Sequence, residues 1–268
     1  MKNNFTPALF FLMISFVFCL QSCKKEKKYE LENIPKSEIQ KTEDSVNSIT
    51  VSVEKPEKTL QYSITVEKID SLQYYSVKKK TAPKKKIIAK ITDINEAKKL
   101  LKGIVEFDEN KDLGANPGVK KIHFRNGKKY ENNGDFDYFS FIAFYPEEDI
   151  LLCEDEASSD ISFNLKNGKG TEETGNPERM NFSPKETFRI NGSYDGQECM
   201  EYFIQKKIDG EYQKIINFED EFKKKTTITL CNIRDGFWID EYTFFLEKYD
   251  FDYETRKYKF FKVKIIEK

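Results

Sequence analysis

The chain holds a single histidine, His123, inside Lys121-Ile122-His123-Phe124-Arg125. A serine or cysteine nucleophile relying on an imidazole base would have to use it. Strand alternation puts Ile122 and Phe124 on one side and His123 on the other, the pattern of a solvent-facing sheet histidine. With no second histidine, the commonest catalytic zinc ligand sets are also lacking. Asp108-x-Asn110-x-Asp112 has the spacing with which a calcium loop begins. Its sixth and twelfth positions are Leu113 and Val119, where such a loop needs Gly and Glu, so solvated carboxylates in a turn explain the run better. Seven acids, Glu147, Glu148, Asp149, Glu154, Asp155, Glu156 and Asp160, crowd into one short stretch. Crowded carboxylates attract a cationic partner or a hard cation, and two of them about 5 Å apart in a cleft would supply glycosidase chemistry. A hydrated acidic hairpin edge is the simplest account, and these seven with Trp238 form the candidate interaction patch. No residue is assigned to catalysis, to a metal or to a dissociable cofactor.

Five cysteines stand at 19, 23, 153, 199 and 231. Cys153, Cys199 and Cys231 cannot all pair with one another. One bridge plus a buried thiol, or three buried thiols, satisfy the count equally, and no Cys-x-x-Cys pair suggests structural zinc.

Cys19 and Cys23 belong to a different segment. Lys2 precedes an unbroken apolar run from Ala8 to Phe18, which closes on Cys19-Leu20-Gln21-Ser22-Cys23 and then turns abruptly to Lys24-Lys25-Glu26. The run is short of the ~20 residues that span a bilayer, and its charged start and small final residue are those of an export signal. Leu20-Gln21-Ser22-Cys23 resembles the lipobox of bacterial lipoproteins; Gln21 departs from the small or hydroxyl residue usual there. The resemblance implies cleavage before Cys23, acylation of its thiol and loss of residues 1–22, leaving a covalent lipid as the only prosthetic group. Two or more acyl chains give stable anchoring. Lys24 stands where an Asp retains well-studied family members at the inner membrane, so the expected address is the outer membrane, with the body periplasmic or surface-exposed.

Loss of the leader removes only Lys2 from the charge count, leaving 44 basic against 46 acidic residues. Residues 24–89 carry 15 Lys or Arg against 10 Asp or Glu, and residues 90–268 carry 29 against 36. A basic stalk leading to an acidic body excludes nucleic acid as the expected partner, since a nucleic-acid protein places its basic patch on the folded part. Lys78-Lys79-Lys80 and Lys84-Lys85-Lys86 have the composition that grazes anionic headgroups, although most such runs are solvated linkers.

The elements that would position these groups follow from periodicity. Residues 24–45 have no period and read as a tether; Leu60, Tyr62, Ile64 and Val66 alternate as a short strand would. Asp93-x-x-Glu96 is a capping box, and Ile94, Ala97, Leu100, Leu101, Ile104 and Val105 follow at helical spacing, predicting a helix over 94–106. Thereafter the period is two. Turns at Asn126-Gly127, Pro146 to Asp149, Asn167-Gly168 and Asp209-Gly210 separate about ten strands, the last of them Thr226 to Cys231, Phe237 to Glu247 and Tyr258 to Ile266.

The expected organisation is a signal peptide at 1–22, a lipidated and largely flexible tether at 23–86 with possible short strands, and a helix plus antiparallel β domain at 87–268. The expected fold is mainly β, an antiparallel meander or two-sheet sandwich with one N-terminal helix. A small propeller-like arrangement is the alternative, because Phe144-Tyr145-Pro146 and Phe182-Ser183-Pro184 open similar strand-turn-strand units. The body, through Ser159-Asp160-x-x-Phe163-Asn164-Leu165, Ser183-Pro184, Gly196-Gln197-Glu198-Cys199 and Phe237-Trp238, resembles uncharacterised envelope lipoproteins. That likeness brings no known activity with it; from the anchor and the charge distribution, membrane attachment, a protein partner and no nucleic acid are expected, with a non-enzymatic binding role, immunity or inhibitor type included. The alternative is an envelope hydrolase using paired carboxylates.

Overall fold

The structure, a computed structural model, describes residues 61–81, 85–113, 116–132, 139–197, 199–231, 233–250 and 257–268. The leader, Cys23 and residues 24–60 lie outside these, as do Lys84, Phe136 and Glu198. In chain order the elements are β1 (Tyr62–Ile69), α1 (Ser71–Thr81), α2 (Ile94–Leu100), β2 (Val105–Leu113), β3 (Asn116–His123), β4 (Lys129–Glu131), β5 (Phe139–Tyr145), β6 (Ile150–Asp155) and β7 (Asp160–Asn164). There follow α3 (Thr171–Thr174), a single 3-10 turn (Pro177–Arg179), β8 (Asn181–Phe182), β9 (Phe188–Tyr194), β10 (Met200–Ile208), β11 (Glu211–Asn217), α4 (Phe218–Thr226), β12 (Ile233–Trp238), β13 (Thr243–Asp250) and β14 (Lys257–Glu267).

The strands form three antiparallel sheets: β1-β14-β13-β12, β11-β10-β9-β8, and β2-β3-β5-β6-β7 with β4 on β3. The protein is mainly β, and the first two sheets pack face to face as a sandwich. Alternation along each strand decides which side chains fill that interior. In β14, Phe261, Val263 and Ile265 point inward against Phe188, Ile190 and Ile204, while Lys262 is half-buried and Lys264 exposed. The open end is closed by α4, whose Phe218 and Phe222 lie four residues apart on one helix face. The third sheet buries one face with Ala97 of α2 and Leu101 just after it, and its other face meets Met180 and Phe182 beside the second sheet. No radial arrangement of blades is formed, so the propeller-like alternative is not the fold.

The folded unit starts earlier than Ile87. β1 pairs along its whole length with β14, from Tyr62 opposite Glu267 to Ile69 opposite Phe260. Asp70 caps α1 through the Gln73 N–H at 2.7 Å, and Tyr74 is fully buried among Phe237, Phe245 and Phe260 on the outer face of that sheet. The stretch 62–81 is therefore structural, not tether.

Three further corrections concern element ends. The Asp93 cap forms as expected, its carboxylate 2.9 Å from the Glu96 N–H, but the helix stops at Leu100 because Gly103 takes a left-handed turn and Val105 enters β2. Phe237 to Glu247 is not one strand but a hairpin, turned at Asp240, whose carboxylate accepts the N–H of both Tyr242 and Thr243 at 2.8 Å. Thr226 to Cys231 is the end of α4 and its connection rather than a strand; Asn217 caps this helix, acids 219–221 fill its first turn and lysines 223–225 its last, in keeping with the helix dipole.

The hairpins read from Asn126-Gly127 and Asp209-Gly210 both form. Asp209 and Gly210 both have positive φ, as a two-residue turn matched to strand twist requires. At the other turn only Gly127 does, closing a turn whose Gly127 N–H donates to the Phe124 carbonyl at 2.9 Å.

Candidate functional site: a cationic cleft between two sheet edges

The residues singled out by type are mostly engaged in holding the fold. His123 Nε2 lies 2.8 Å from Glu106 Oε1 in an exposed pair across β2 and β3, and that contact holds the Glu106 carboxyl below its usual range. Asp108 to Asp112 run within β2 instead of forming a loop. Among the described residues no group of three or more His, Cys, Asp or Glu is arranged to hold a metal ion. Cys199 is disulfide-bonded to Cys231, and Cys153 is a buried free thiol whose pKa burial pushes up.

The acidic cluster is divided by the fold. Asp149 forms a two-pronged pair with Arg125 at 2.7 and 2.9 Å. Asp155 caps its own turn through the N–H groups of Ala157 and Ser159. Asp160 receives the Tyr194 N–H, the Asn176 amide and Arg179 Nε, so it ties β7 to β9 and to the 3-10 turn. Glu148 reaches inward to Arg189. Glu147 and Glu156 remain exposed and Glu154 is half-buried. Trp238 does not join them on the surface: it is 4% exposed, packs edge-on against Phe244 and donates its indole N–H to the Asn181 carbonyl at 3.1 Å. The expected acidic patch with an exposed tryptophan is thus corrected, because a ring of that size at the end of a core-facing strand is worth more buried.

Among the described residues Arg189 is the least exposed ion-pair partner, its side chain 3% exposed. From β9 it donates to Gln205 Oε1 and, at 2.7 Å, to Glu148 Oε2, and its guanidinium stacks 3.8 Å from the Tyr212 ring centre. Burial pulls its pKa down, and the adjacent Glu148 charge opposes that shift. This pair joins the third sheet to the second; a planar, bidentate, stackable cation suits it where lysine would not.

Between the edge strands β8 and β12 lies a cleft of about 300 Å³. Asn181 stitches the two edges by donating to the Gly236 carbonyl at 2.8 Å while accepting from Trp238. The apolar lining is Met180, Ile190, Tyr202, Ile233 and Phe244, and the polar lining includes Lys85, Arg179, Arg234, Glu178 and Asp235. Both carboxylates are already neutralised from outside the cleft. Glu178 pairs with Lys90 and accepts the Tyr145 hydroxyl at 3.3 Å; Lys90 is the main cause of its lowered pKa. Asp235 accepts the Tyr74 hydroxyl at 2.7 Å and pairs with Lys78; burial raises its pKa, but these two partners outweigh burial and leave it below the usual range.

The cations of the cleft retain unused capacity. Arg179 uses Nε on Asp160, and Arg234 uses one terminal nitrogen on Glu247 at 3.0 Å, so each keeps donors for a further acceptor. Tyr202, whose oxygen accepts the Ile233 N–H at 3.1 Å, has its hydroxyl proton available as well. An anionic group of small size with an apolar body fits these surroundings. Sequence reading missed the site because its donors come from a 3-10 turn and an edge strand 55 residues apart, counting Arg179 to Arg234.

A second, shallower groove of about 490 Å³ runs past Tyr242 and Lys264. Its Glu241 carboxylate is consumed by Ser183, Lys185 and Thr187, which hold it below its usual pKa against the upward pull of burial. Among the described residues no helix is long and apolar enough to cross a membrane. No protein-family model, curated protein or solved structure matches the chain.

Proposed function

We propose that this chain is a lipid-anchored protein of the cell envelope that acts by binding and not by catalysis. Two features support the address. Leu20-Gln21-Ser22-Cys23 supplies the acylation signal, and the Cys199–Cys231 bridge belongs to an oxidising compartment such as a periplasm or cell surface.

The observation that carries the binding role is the pairing of both carboxylates of the cleft between β8 and β12 with lysines outside it. A carboxylate hydrolase needs one carboxyl raised in pKa so that it stays protonated as a general acid. Glu178 and Asp235 are both shifted the other way. They are ionised counter-ions for lysines, and the donors left over belong to Arg179, Arg234 and Tyr202. Such a site recognises a small anion, free or displayed by a partner macromolecule. Its volume is at the lower bound for small-molecule sites, which favours a single carboxylate or phosphate group with a short apolar body.

Octanoate and octanol are suitable probes, since they share the apolar body and differ in charge. Titrated into isotope-labelled protein, octanoate is expected to shift the amides of Asn181, Tyr202 and Gly236, octanol to leave them in place, and Arg234→Ala to weaken the octanoate response. Equal shifts with both probes, or none with either, would contradict the assignment.

A further inference from the structure

We infer that the outer face of α1 rests on an anionic lipid bilayer and so fixes the orientation of the folded body on the membrane; this rests on the lipid-anchor reading above. A surface helix ordinarily turns its apolar side to the core and polar residues to solvent. α1 does the first through Tyr74 and Val77, but among its solvent-facing residues Leu72 and Tyr75 break the second. Leu72 is 80% exposed and Tyr75 48% exposed, one turn apart, and Lys79 follows one turn further along the same stripe. Lys79 and Lys80 are exposed and carry no ion pair among the described residues, while Lys78 beside them is held by Asp235. The stripe therefore runs from an apolar pair to a cationic end.

Three considerations select a bilayer as the occupant. The cations match anionic headgroups, with each lysine at such a surface favouring the docked state by about fivefold. Leu72 is a side chain that enters the boundary between headgroups and acyl chains, and Tyr75, held through its hydroxyl by Glu247, leaves the exposed half of its ring on the same side. The helix is also reachable: residues 24–60, between the acylated Cys23 and the first described residue, span at most ~130 Å even when fully extended. A tether of that length keeps the body near the surface at high effective concentration, so a weak face suffices. The acids nearest α1 do not cancel the charge. Asp70 caps the opposite end of the helix, Asp235 is paired with Lys78, and Glu247 is buried and bound by Arg234 and Tyr75.

The test uses the lipidated full-length product in vesicles. Ser76 lies exposed on the same side of α1, and Ser76→Cys gives the only reactive thiol for a nitroxide, since Cys153 is buried, Cys199 and Cys231 are bridged, and Cys23 is a thioether in the anchored form. Collision of the nitroxide with a water-soluble relaxant is measured in phosphatidylcholine vesicles and in equimolar phosphatidylcholine and phosphatidylglycerol. The label is expected to be shielded from the relaxant only in the anionic vesicles, with shielding lost at high salt. Lys79→Glu with Lys80→Glu is expected to lower the docked-to-free ratio at least 25-fold, about fivefold for each charge removed before the added repulsion. Leu72→Ser should weaken docking without altering the salt response. Equal accessibility in the two vesicle types, or no effect of the charge reversal, would overturn the inference while the protein stays on the vesicles. Release of the protein from both vesicle types would instead contradict the anchor reading.

Discussion

Removing the Cys199–Cys231 bridge tests both the fold and the compartment. The cysteines are 32 residues apart and join the start of β10 to the segment between α4 and β12. On the chain-entropy treatment, closing a loop of that size restricts the unfolded state by about 12 cal/mol/K, or about 3.7 kcal/mol at room temperature. Cys199→Ala with Cys231→Ala is expected to lose that much against urea. With a slope near ~3 kcal/mol per M for a unit of this size, the midpoint falls by about 1.2 M. Wild-type protein unfolded with reductant should coincide with the double variant, and reductant should not move the variant. Thiol titration under denaturing conditions gives an independent reading. The acylated product should show one thiol, Cys153, before reduction and three afterwards. A midpoint unchanged by reductant, or three thiols before reduction, would refute the bridge and remove the support it gives to an exported address.

Other expected outcomes follow from packing and charge. Arg189→Met leaves Glu148 and Gln205 without their buried partner and should cost about 3 kcal/mol, whereas adding Glu148→Gln should recover part of that loss in a double-mutant cycle by urea unfolding. Gly192→Ala should cost about 2 kcal/mol, since its new methyl would sit 2.5 Å from the Glu201 carbonyl oxygen on the paired strand, which cannot rotate away. Asp235, Glu178 and Glu241 all have depressed pKa values in the folded state, so the stability they give is present above the unfolded carboxylate pKa of about 4 and lost as pH falls through the folded values. Urea midpoints should therefore be level from about pH 6 to 5 and decline below about 4, less steeply in Asp235→Asn.

The parts of this fold legible in sequence are those decided within a few residues. Asp93 with Glu96, Asn126-Gly127 and Asp209-Gly210 act through local backbone hydrogen bonds and left-handed φ, and each appears where its residues stand. Most strands between Phe139 and Ile208 were legible for the same reason, being short alternating runs between such turns. β1 was harder to place, because its partner β14 lies almost 200 residues away and only Tyr62, Ile64 and Val66 hint that one face is covered. α1 was hidden because its one fully buried residue, Tyr74, sits beside exposed Leu72 and Tyr75, which erases helical periodicity. For α4 a signal was present in Asn217 followed by acids and then lysines, yet Phe218 and Phe222 also fit a strand. The turn at Asp240 lacks glycine and proline and is flanked by aromatics, so the hairpin read as one strand. The candidate site was not legible at all. Lysine and arginine counts do not reveal that Glu178 and Asp235 are neutralised from one side while Arg179 and Arg234 keep donors on the other; that follows only from how three sheets meet.

Mass spectrometry of the amino-terminal peptide, from protein purified out of the membranes of a lipoprotein-processing bacterium, tests the anchor on which the envelope address and the membrane orientation depend. The expected species begins at Cys23, lacks residues 1–22 and carries a diacylglyceryl group on sulfur, with or without an acyl group on its amine. A peptide with an unmodified Cys23 thiol, or one still joined to Leu20-Gln21-Ser22, would contradict it.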